Sequence, residues 1–200
     1  AAAEGVDWRC VMDAIRPHVQ LLWQELTPAD RRRFLRHARP WWDSHRHRVA
    51  PSVARTIGAA QRQGRLRILT GRMLAMEPTD TGDVAVTWRP RGAVATRRCV
   101  VQRVINCSGP GTDMAQVDDP LIRQLLADGL ARPDPLRLGF DTTPLGAVID
   151  QHGRPSPRIF AVGPLTRGTF WEITSVADIR IQADAVAVGA LEAARRLAAA

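Results

Sequence analysis

The sequence predicts an α/β protein in which N-terminal helices precede an antiparallel β-meander and a C-terminal strand–helix unit. Apolar residues recur at helical spacing over the first third of the chain. Short alternating runs separated by turn clusters follow over residues 65–101. The apolar run Ile159–Val162 then precedes one long apolar stripe that ends near Ala198. A hydrophobic content of 45% in 200 residues is sufficient for a core.

Residues 1–64 form the helical segment of this prediction. N-cap residues and prolines set the bounds of its helices, because caps satisfy free amides and proline interrupts the helical hydrogen bonds. The first helix starts after Asp7 and is kinked or divided by Pro17. The second starts after Thr27, with Pro28 at its first position, and ends near Arg39 before Pro40. The third spans residues 51–63 and stops at Gly64.

Residues 65–111 are predicted as strands of a nucleotide-binding domain. The meander strands lie within residues 65–69, 73–76, 84–88 and 99–101. Arg103–Cys107 is apolar without alternation, which is typical of a strand buried on both faces of a parallel sheet. It ends in Ser108–Gly111, where Gly109 would let a ligand approach the backbone. Residues 112–157 are then predicted as an excursion with a helix at Asp118–Leu126 and strands at residues 139–141 and 147–150.

Residues 158–200 carry the sharpest signal, a buried strand followed by a glycine turn and a long helix. Gly163 permits a backbone conformation closed to other residues, and Pro164 stiffens the exit from the turn. Thr174 or Ser175 caps the helix. The positive end of a helix beside a glycine turn suits an anion, such as a phosphate or a reduced flavin ring. We therefore expect the helix to begin beside Gly163 with its first amides facing a ligand.

The net charge of +8 is carried by arginine alone, since lysine is absent. Dense basic runs occur only at Arg31–Arg33 and at His45–Arg48. The alternating histidines lack the spacing and partners of a metal site, so no metal is expected. Exposure to solvent or contact with a partner domain explains these basic runs better than binding of a polyanion does. Nucleic acid is therefore disfavoured as a partner. A non-enzymatic, Arg-rich domain that binds nucleic acid or a partner protein is the alternative function.

No apolar run is long enough to cross a bilayer, so no membrane contact is expected. The three cysteines are odd in number and form no C-x-x-C pair, which favours a reducing cytoplasm. The chain opens at Ala1 without methionine or a signal peptide, and we expect a fragment or a trimmed chain.

Several motifs resemble, in order and spacing, the C-terminal half of bacterial FAD/NAD(P)-binding proteins of the two-dinucleotide-binding flavoprotein superfamily. The similarity covers nearly the whole chain. The motifs lie at Arg33–His37, Trp41–Pro51, Val104–Gly111, Arg132–Asp141, Gly146–Asp150 and Phe160–Thr174.

The resemblance implies the C-terminal portion of a Rossmann-like FAD/NAD(P)-binding fold. The strand ending at Gly109 would match the Ala-Thr-Gly element that links the two nucleotide domains. The strand ending at Gly163 would match the Gly-Asp element that holds the ribityl chain and diphosphate of FAD, although Pro164 replaces the aspartate. The helix start at Thr174 would lie under the flavin ring. The expected cofactor-binding residues are Gly109, Gly163, Pro164, Thr166, Trp171, Glu172, Ile173 and Thr174.

The Gly-x-Gly-x-x-Gly fingerprint that cradles the FAD diphosphate does not occur in the 200 residues. The expected function is therefore a part of an FAD-dependent oxidoreductase that uses NAD(P)H. Its sites for FAD and NAD(P)H need a missing N-terminal half, or an equivalent subunit, as partner. The chemistry belongs mostly to the cofactor, so no catalytic residue is named and the substrate stays open.

Overall fold

The structure is a computed structural model that describes residues 7–199. It has the mixed α/β character that the sequence predicts, with helices and small antiparallel sheets. The α-helices are α1 Trp8–Ile15, α2 Val19–Glu25, α3 Pro28–Arg33, α4 Arg39–Arg46, α5 Pro51–Arg62, α6 Pro120–Ala127 and α7 Val176–Ala198. The strands are β1 Gly71–Pro78, β2 Val84–Pro90, β3 Arg97–Val101, β4 Ala147–Ile149 and β5 Pro155–Phe160. None of the helices within residues 7–199 combines the length and hydropathy needed to cross a membrane.

The predicted helix starts are confirmed. The side chain of Asp7 accepts a hydrogen bond from the amide of Arg9, and that of Thr27 accepts one from the amide of Asp30. Pro17 lies in a 3-10 turn, Arg16–His18, which separates α1 from α2. Because caps and prolines act over a few residues, the local sequence suffices to predict them.

The expected helix end before Pro40 is wrong, because the helical path continues through α4 to Arg46. A proline inside a regular helix has no backbone N–H to donate, and its ring clashes with the carbonyl four residues earlier. A π-helical turn, Phe34–Ala38, precedes Pro40, and the amide of Arg39 donates to the carbonyl of Phe34 five residues back. This wider turn makes room for the proline, as π-bulges do in other helices.

The chain divides into two compact units. The second unit, Arg48–Gly109, contains α5 and an antiparallel sheet in the order β1-β2-β3. Val86 of the central strand pairs with Met76 on one side and Cys99 on the other, which confirms the predicted meander.

Two strands predicted for the second unit are wrong. Residues 65–69 and 103–107 have no strand pairing, and Ile105 is 76% exposed. A strand exists only when a neighbour satisfies its amides and carbonyls, and apolar sequence alone does not supply that neighbour. All the strand pairs that form among residues 7–199 are antiparallel.

The first unit combines residues 7–47 with residues 110–199. Its two-stranded sheet pairs β4 with β5, where Ala147 lies opposite Phe160. The predicted strand Ile159–Val162 is displaced toward the N-terminus, so that Ala161 and Val162 follow the strand rather than belong to it. β5 is only half-buried, because it is an edge strand of a small sheet rather than the centre of a parallel one.

Two apolar clusters form the core of the first unit. One contains Phe140, Val148 and Ala161 beside α6. The other joins the N-terminal helices to the loop before α7, through Trp23 and Trp171. The loop that the sequence marked as functional is therefore held against α2 rather than free in solvent.

Candidate functional site

The glycine turn after β5 has the conformation that the sequence predicts. Gly163 begins a 3-10 turn and has a φ of 74°, which L-amino acids rarely adopt. Its amide donates to Oε1 of Gln182 at 2.7 Å. Gln182 Nε2 donates to Thr166 Oγ1 at 2.8 Å, and Thr166 Oγ1 donates to the carbonyl of Gly163 at 2.9 Å. This closed and buried network fixes the turn to α7 and occupies the amide of Gly163.

α7 lies beside the turn, as expected, since a Cβ placed on Gly163 would be 3.6 Å from Ile179. Ser175 caps the helix by accepting from the amide of Asp178. The carboxylate of Asp178 lies in the first turn, where it offsets the positive end of the helix dipole. The amide of Asp178 is therefore taken by the cap and is not available to a ligand, while the expectation for the other first amides stays a prediction.

The buried face of α7 differs from the predicted stripe. It contains Gln182, Val186, Gly189 and Ala193. The predicted stripe shares only Val186 with this face. Ile179 and Ala190 of the stripe are partly buried, and its other members are exposed, namely Val176, Ala183, Ala187, Leu191 and Ala194. Alanine is common on every side of a helix, so it locates a buried face poorly.

Trp171 lies at the centre of an aromatic cluster and is 2% exposed. Its ring stacks on Trp23, with ring centroids 4.9 Å apart, and meets Phe34 edge-on at 5.5 Å. The guanidinium carbon of Arg167 lies 4.8 Å from the Trp171 centroid. Burial, assisted by the charge of Arg39, lowers the pKa of the Arg167 guanidinium from its usual value.

Glu172 anchors the same loop to α4. Its φ of 64° is unusual for a residue other than glycine. Its carboxylate accepts from Trp42 Nε1 at 2.7 Å and from Arg46 Nε at 3.1 Å, and His47 Nε2 lies 3.6 Å away. Several partners thus hold a strained backbone conformation, an arrangement that is common in binding sites and in tightly constrained loops.

A cleft of about 510 Å³ opens beside these residues. It is formed by the 3-10 turn Arg16–His18, the start of α2, the Trp171 loop and the first turns of α7. Arginines and carboxylates occur in equal number along it, so its charge is balanced, and most of its exposed wall is apolar. Its charged and amide side chains are Arg16, Gln20, Arg46, Glu172, Asp178 and Gln182.

The structure brings together part of the predicted site. Trp171 and Glu172 line the cleft directly, whereas Gly163 and Thr166 reach it through Gln182. Ile173 is completely buried in the protein. Pro164 and Thr174 are exposed and do not line the cleft, and Gly109, with a φ of 83°, belongs to the other unit.

The sequence-based reasoning missed Gln182. A signal was present, because Gln182 lies three residues after Ile179 and four before Val186, at the spacing of a buried helix face. A polar residue on such a face needs partners, and here those partners are the glycine turn and Thr166.

Asp134 was also missed, within residues 112–157, which were predicted as an excursion. Its buried carboxylate accepts from the amides of Leu136 and Leu138. Burial raises the pKa of Asp134, against the effect of these hydrogen bonds. Gly168 packs directly on this carboxylate, and its carbonyl accepts from Trp23 Nε1 at 2.8 Å. The hydrogen bond from Trp23 to the carbonyl of Gly168 is a second anchor for the loop.

The Arg31–Arg33 run is only partly available to a ligand. Arg31 donates through Nε and Nη2 to the carbonyls of Trp23 and Gln24, each at 2.9 Å, and so completes the C-terminal end of α2. Arg32 and Arg33 are exposed. No group of three or more His, Cys, Asp or Glu side chains within residues 7–199 is arranged to hold a metal ion.

Comparison of the chain with protein-family models, with curated proteins and with solved structures gives no match.

Proposed function

We propose that this chain is part of an FAD-dependent oxidoreductase that uses NAD(P)H, with a Rossmann-like fold in the complete assembly, and that it contributes the wall against which the flavin ring lies. The observation that carries the proposal is the cleft beside α7, lined by Trp171 and the anchored Glu172. A bound flavin would supply the hydride-transfer chemistry. The residues of this chain would bind the ring, orient it and limit the access of water.

The cleft fits the ring part of FAD. Ligand sites are concave, mostly apolar and furnished with a few fixed polar groups. Phe170 and Ile181 supply apolar surface, since the ring of Trp171 is only 2% exposed. Gln182 and Glu172 are fixed by their hydrogen bonds. The balanced charge of the cleft suits an uncharged ring better than a diphosphate.

The glycine turn does not fit the diphosphate part of FAD. The amide of Gly163 already donates to Gln182, and Pro164 provides no carboxylate for the ribityl hydroxyls. We therefore assign no diphosphate contact to this turn. The diphosphate would be held by a second polypeptide segment that carries the three-glycine fingerprint.

The exposed apolar surface of the second unit supports the proposal of a partner of this kind. Only Ala85 and Val86 are buried in Arg48–Gly109, all of which the structure describes, whereas Met73, Met76 and Val100 of the sheet are exposed. Exposed apolar surface on this scale is typical of interfaces. The cysteines of the described chain are free and exposed, and we place the assembly in the cytoplasm.

A titration of the full chain with riboflavin, FMN and FAD, followed by flavin fluorescence, tests the proposal. We expect saturable binding with similar affinity for all three, because they share the ring and differ in their phosphates. Ile181→Trp should block the cleft at an exposed position, and Val188→Trp is the matched control, since Val188 is exposed on the same helix but does not line the cleft. Absence of saturable binding, or equal effects of the two variants, would contradict the proposal.

The alternative function, binding of nucleic acid or a partner protein through the Arg-rich helices, is supported by exposed arginines such as Arg32 and Arg33. Binding to DNA that weakens steeply with salt and is lost in Arg32→Gln/Arg33→Gln would favour it.

A further inference from the structure

The net charge of the chain lies entirely in the second unit. Arg48–Gly109 contains eleven arginines and three acidic residues, which accounts for the whole charge of +8. The rest of the chain has as many acidic as basic residues and is neutral. All eleven arginines are exposed. A basic excess confined to one compact unit is typical of a protein that binds an anionic partner through that unit.

The register of the three-stranded sheet brings three of these arginines together. Arg72 of β1 lies directly opposite Arg89 of β2, and Arg98 of β3 lies opposite Thr87. Thr87 and Arg89 are two residues apart on β2, so they lie on the same face of the sheet. The Cβ atoms of such neighbours are about 5–8 Å apart. Arg72, Arg89 and Arg98 therefore form one patch, the basic face, which contiguous runs in the sequence do not reveal.

No acidic residue neutralises the basic face. Its three arginines form no ion pair with an acidic side chain among residues 7–199. The acidic residues of the unit lie at the opposite end of the β1–β2 hairpin, namely Glu77, Asp80 and Asp83. Like charges directly opposite each other destabilise a sheet. Charges on edge strands prevent pairing with other chains, but Arg89 lies on the central strand, where that protection has no purpose.

The two faces of the sheet suit different partners. Met73 and Met76 are exposed and lie on the face opposite the arginines, together with Trp88. On the basic face Ala75 is a small neighbour of the arginines, and Val100 is the exposed large apolar residue that strand pairing places there. A membrane-binding surface and the core of a protein interface both need extensive apolar surface. The face with the methionines suits the proposed protein partner, and the basic face suits a polyanion that is bound by charge.

We propose that the basic face binds the phosphate backbone of a nucleic acid duplex without preference for sequence. The arginine fork binds phosphate through two parallel hydrogen bonds. Duplex DNA presents about one negative charge per 1.7 Å of its axis, so several phosphates lie within reach of the patch. Proteins bind single strands by stacking the bases on aromatic side chains, and Trp88, the aromatic residue of this unit, lies on the other face. This site is independent of the proposed flavin cleft, which lies in the first unit.

Titration of a short fluorescein-labelled DNA duplex with the full chain, followed by fluorescence anisotropy, tests the proposal. We expect the affinity to fall at least about 40-fold between 50 and 200 mM salt, as three phosphate contacts require. Arg72→Gln/Arg89→Gln/Arg98→Gln should lower the slope of log affinity against log salt by about 3, one for each contact removed. The charge-conserving variant Arg72→Lys/Arg89→Lys/Arg98→Lys should keep this slope, which separates loss of charge from loss of folding.

Arg32→Gln/Arg33→Gln/Arg36→Gln is the matched control, because it removes the same charge from exposed positions of the first unit. It should leave the slope unchanged. Equal effects of the two triple glutamine variants, or no salt-dependent binding of the duplex by the unaltered chain, would overturn the proposal. Tighter binding to phosphatidylserine vesicles, to poly-L-glutamate or to the single strand than to the duplex would also overturn it, in favour of a membrane, an acidic protein or unpaired nucleic acid.

Discussion

A single glutamine ties the glycine turn to the C-terminal helix. Gln182 is buried, accepts from the amide of Gly163 and donates to Thr166. An amide side chain can do both at once, which neither a carboxylate nor a hydrocarbon can. The position of the turn relative to α7 therefore depends on this residue.

Gln182→Leu keeps the approximate volume of the side chain and removes both hydrogen bonds. Because the amide of Gly163 would be left buried and unpaired, we expect the free energy of unfolding to fall by about 2–3 kcal/mol. Urea denaturation followed by tryptophan fluorescence measures it. Gln61→Leu, at an exposed position of α5, should change it by less than about 0.5 kcal/mol. Equal effects at the two positions would contradict the role of Gln182.

Glu172 and Arg46 form a partly buried pair that should show measurable coupling. Their side chains are 11% and 20% exposed, so solvent screens the interaction less than at the surface. A double-mutant cycle with Glu172→Gln and Arg46→Met should give a coupling energy of about 1–2 kcal/mol. The exposed pair Glu192 and Arg196 on α7 is the control, with an expected coupling of about 0.5 kcal/mol or less. Similar values for both pairs would show that Glu172 is not an anchor.

Asp134 should make stability depend on pH in the direction opposite to a salt-bridged carboxylate. Burial raises its pKa in the folded protein, so its ionised form weakens the folded state at neutral pH. This destabilisation disappears as the pH falls, because the Asp134 carboxylate in the folded protein takes up its proton at a pH above the ordinary carboxyl pKa of 3.8. Relative to Asp134→Asn, the free energy of unfolding of the unaltered protein should therefore rise between pH 7 and pH 4. A constant or falling difference in urea denaturation would contradict this assignment.

At the scale of elements, the sequence predicted helix starts better than strands. Caps at Asp7, Thr27 and Ser175 depend on neighbouring residues, and all three form as predicted. The strand predicted at residues 103–107 required neighbours that the described chain does not supply. Pro40 failed as a stop because the π-helical turn before it removes the clash on which that prediction relied.

Two glycines of the loop before α7 should differ in how they tolerate alanine. Gly163 has a positive φ, but a Cβ there would make only ordinary van der Waals contacts with Ile179, so Gly163→Ala should cost about 1–2 kcal/mol of unfolding free energy. A Cβ on Gly168 would overlap the Asp134 carboxylate, which the surrounding hydrogen bonds hold in place. Gly168→Ala should therefore cost more, roughly 2–4 kcal/mol. Thermal unfolding followed by circular dichroism compares them, and the reverse order would refute the packing of Asp134 on Gly168.

At the scale of the molecule, the prediction of an α/β chain with a meander is confirmed, whereas only some of the residues expected at the site lie together in the structure. Trp171 and Glu172 were expected at the site because the run Phe160–Thr174 resembles a flavoprotein motif. Arg46 and Trp42 became visible only when folding placed α4 against that loop. Contacts between residues more than a hundred positions apart leave no local pattern in the sequence.

Hydrogen exchange of the full chain, measured by mass spectrometry with and without FMN, tests most directly whether the flavin ring lies in the cleft beside α7. We expect slower exchange in the loop around Trp171–Thr174 and in the first turns of α7, and we expect Ile181→Trp to abolish this change. Protection confined to Arg48–Gly109, or no protection at saturating FMN, would contradict it.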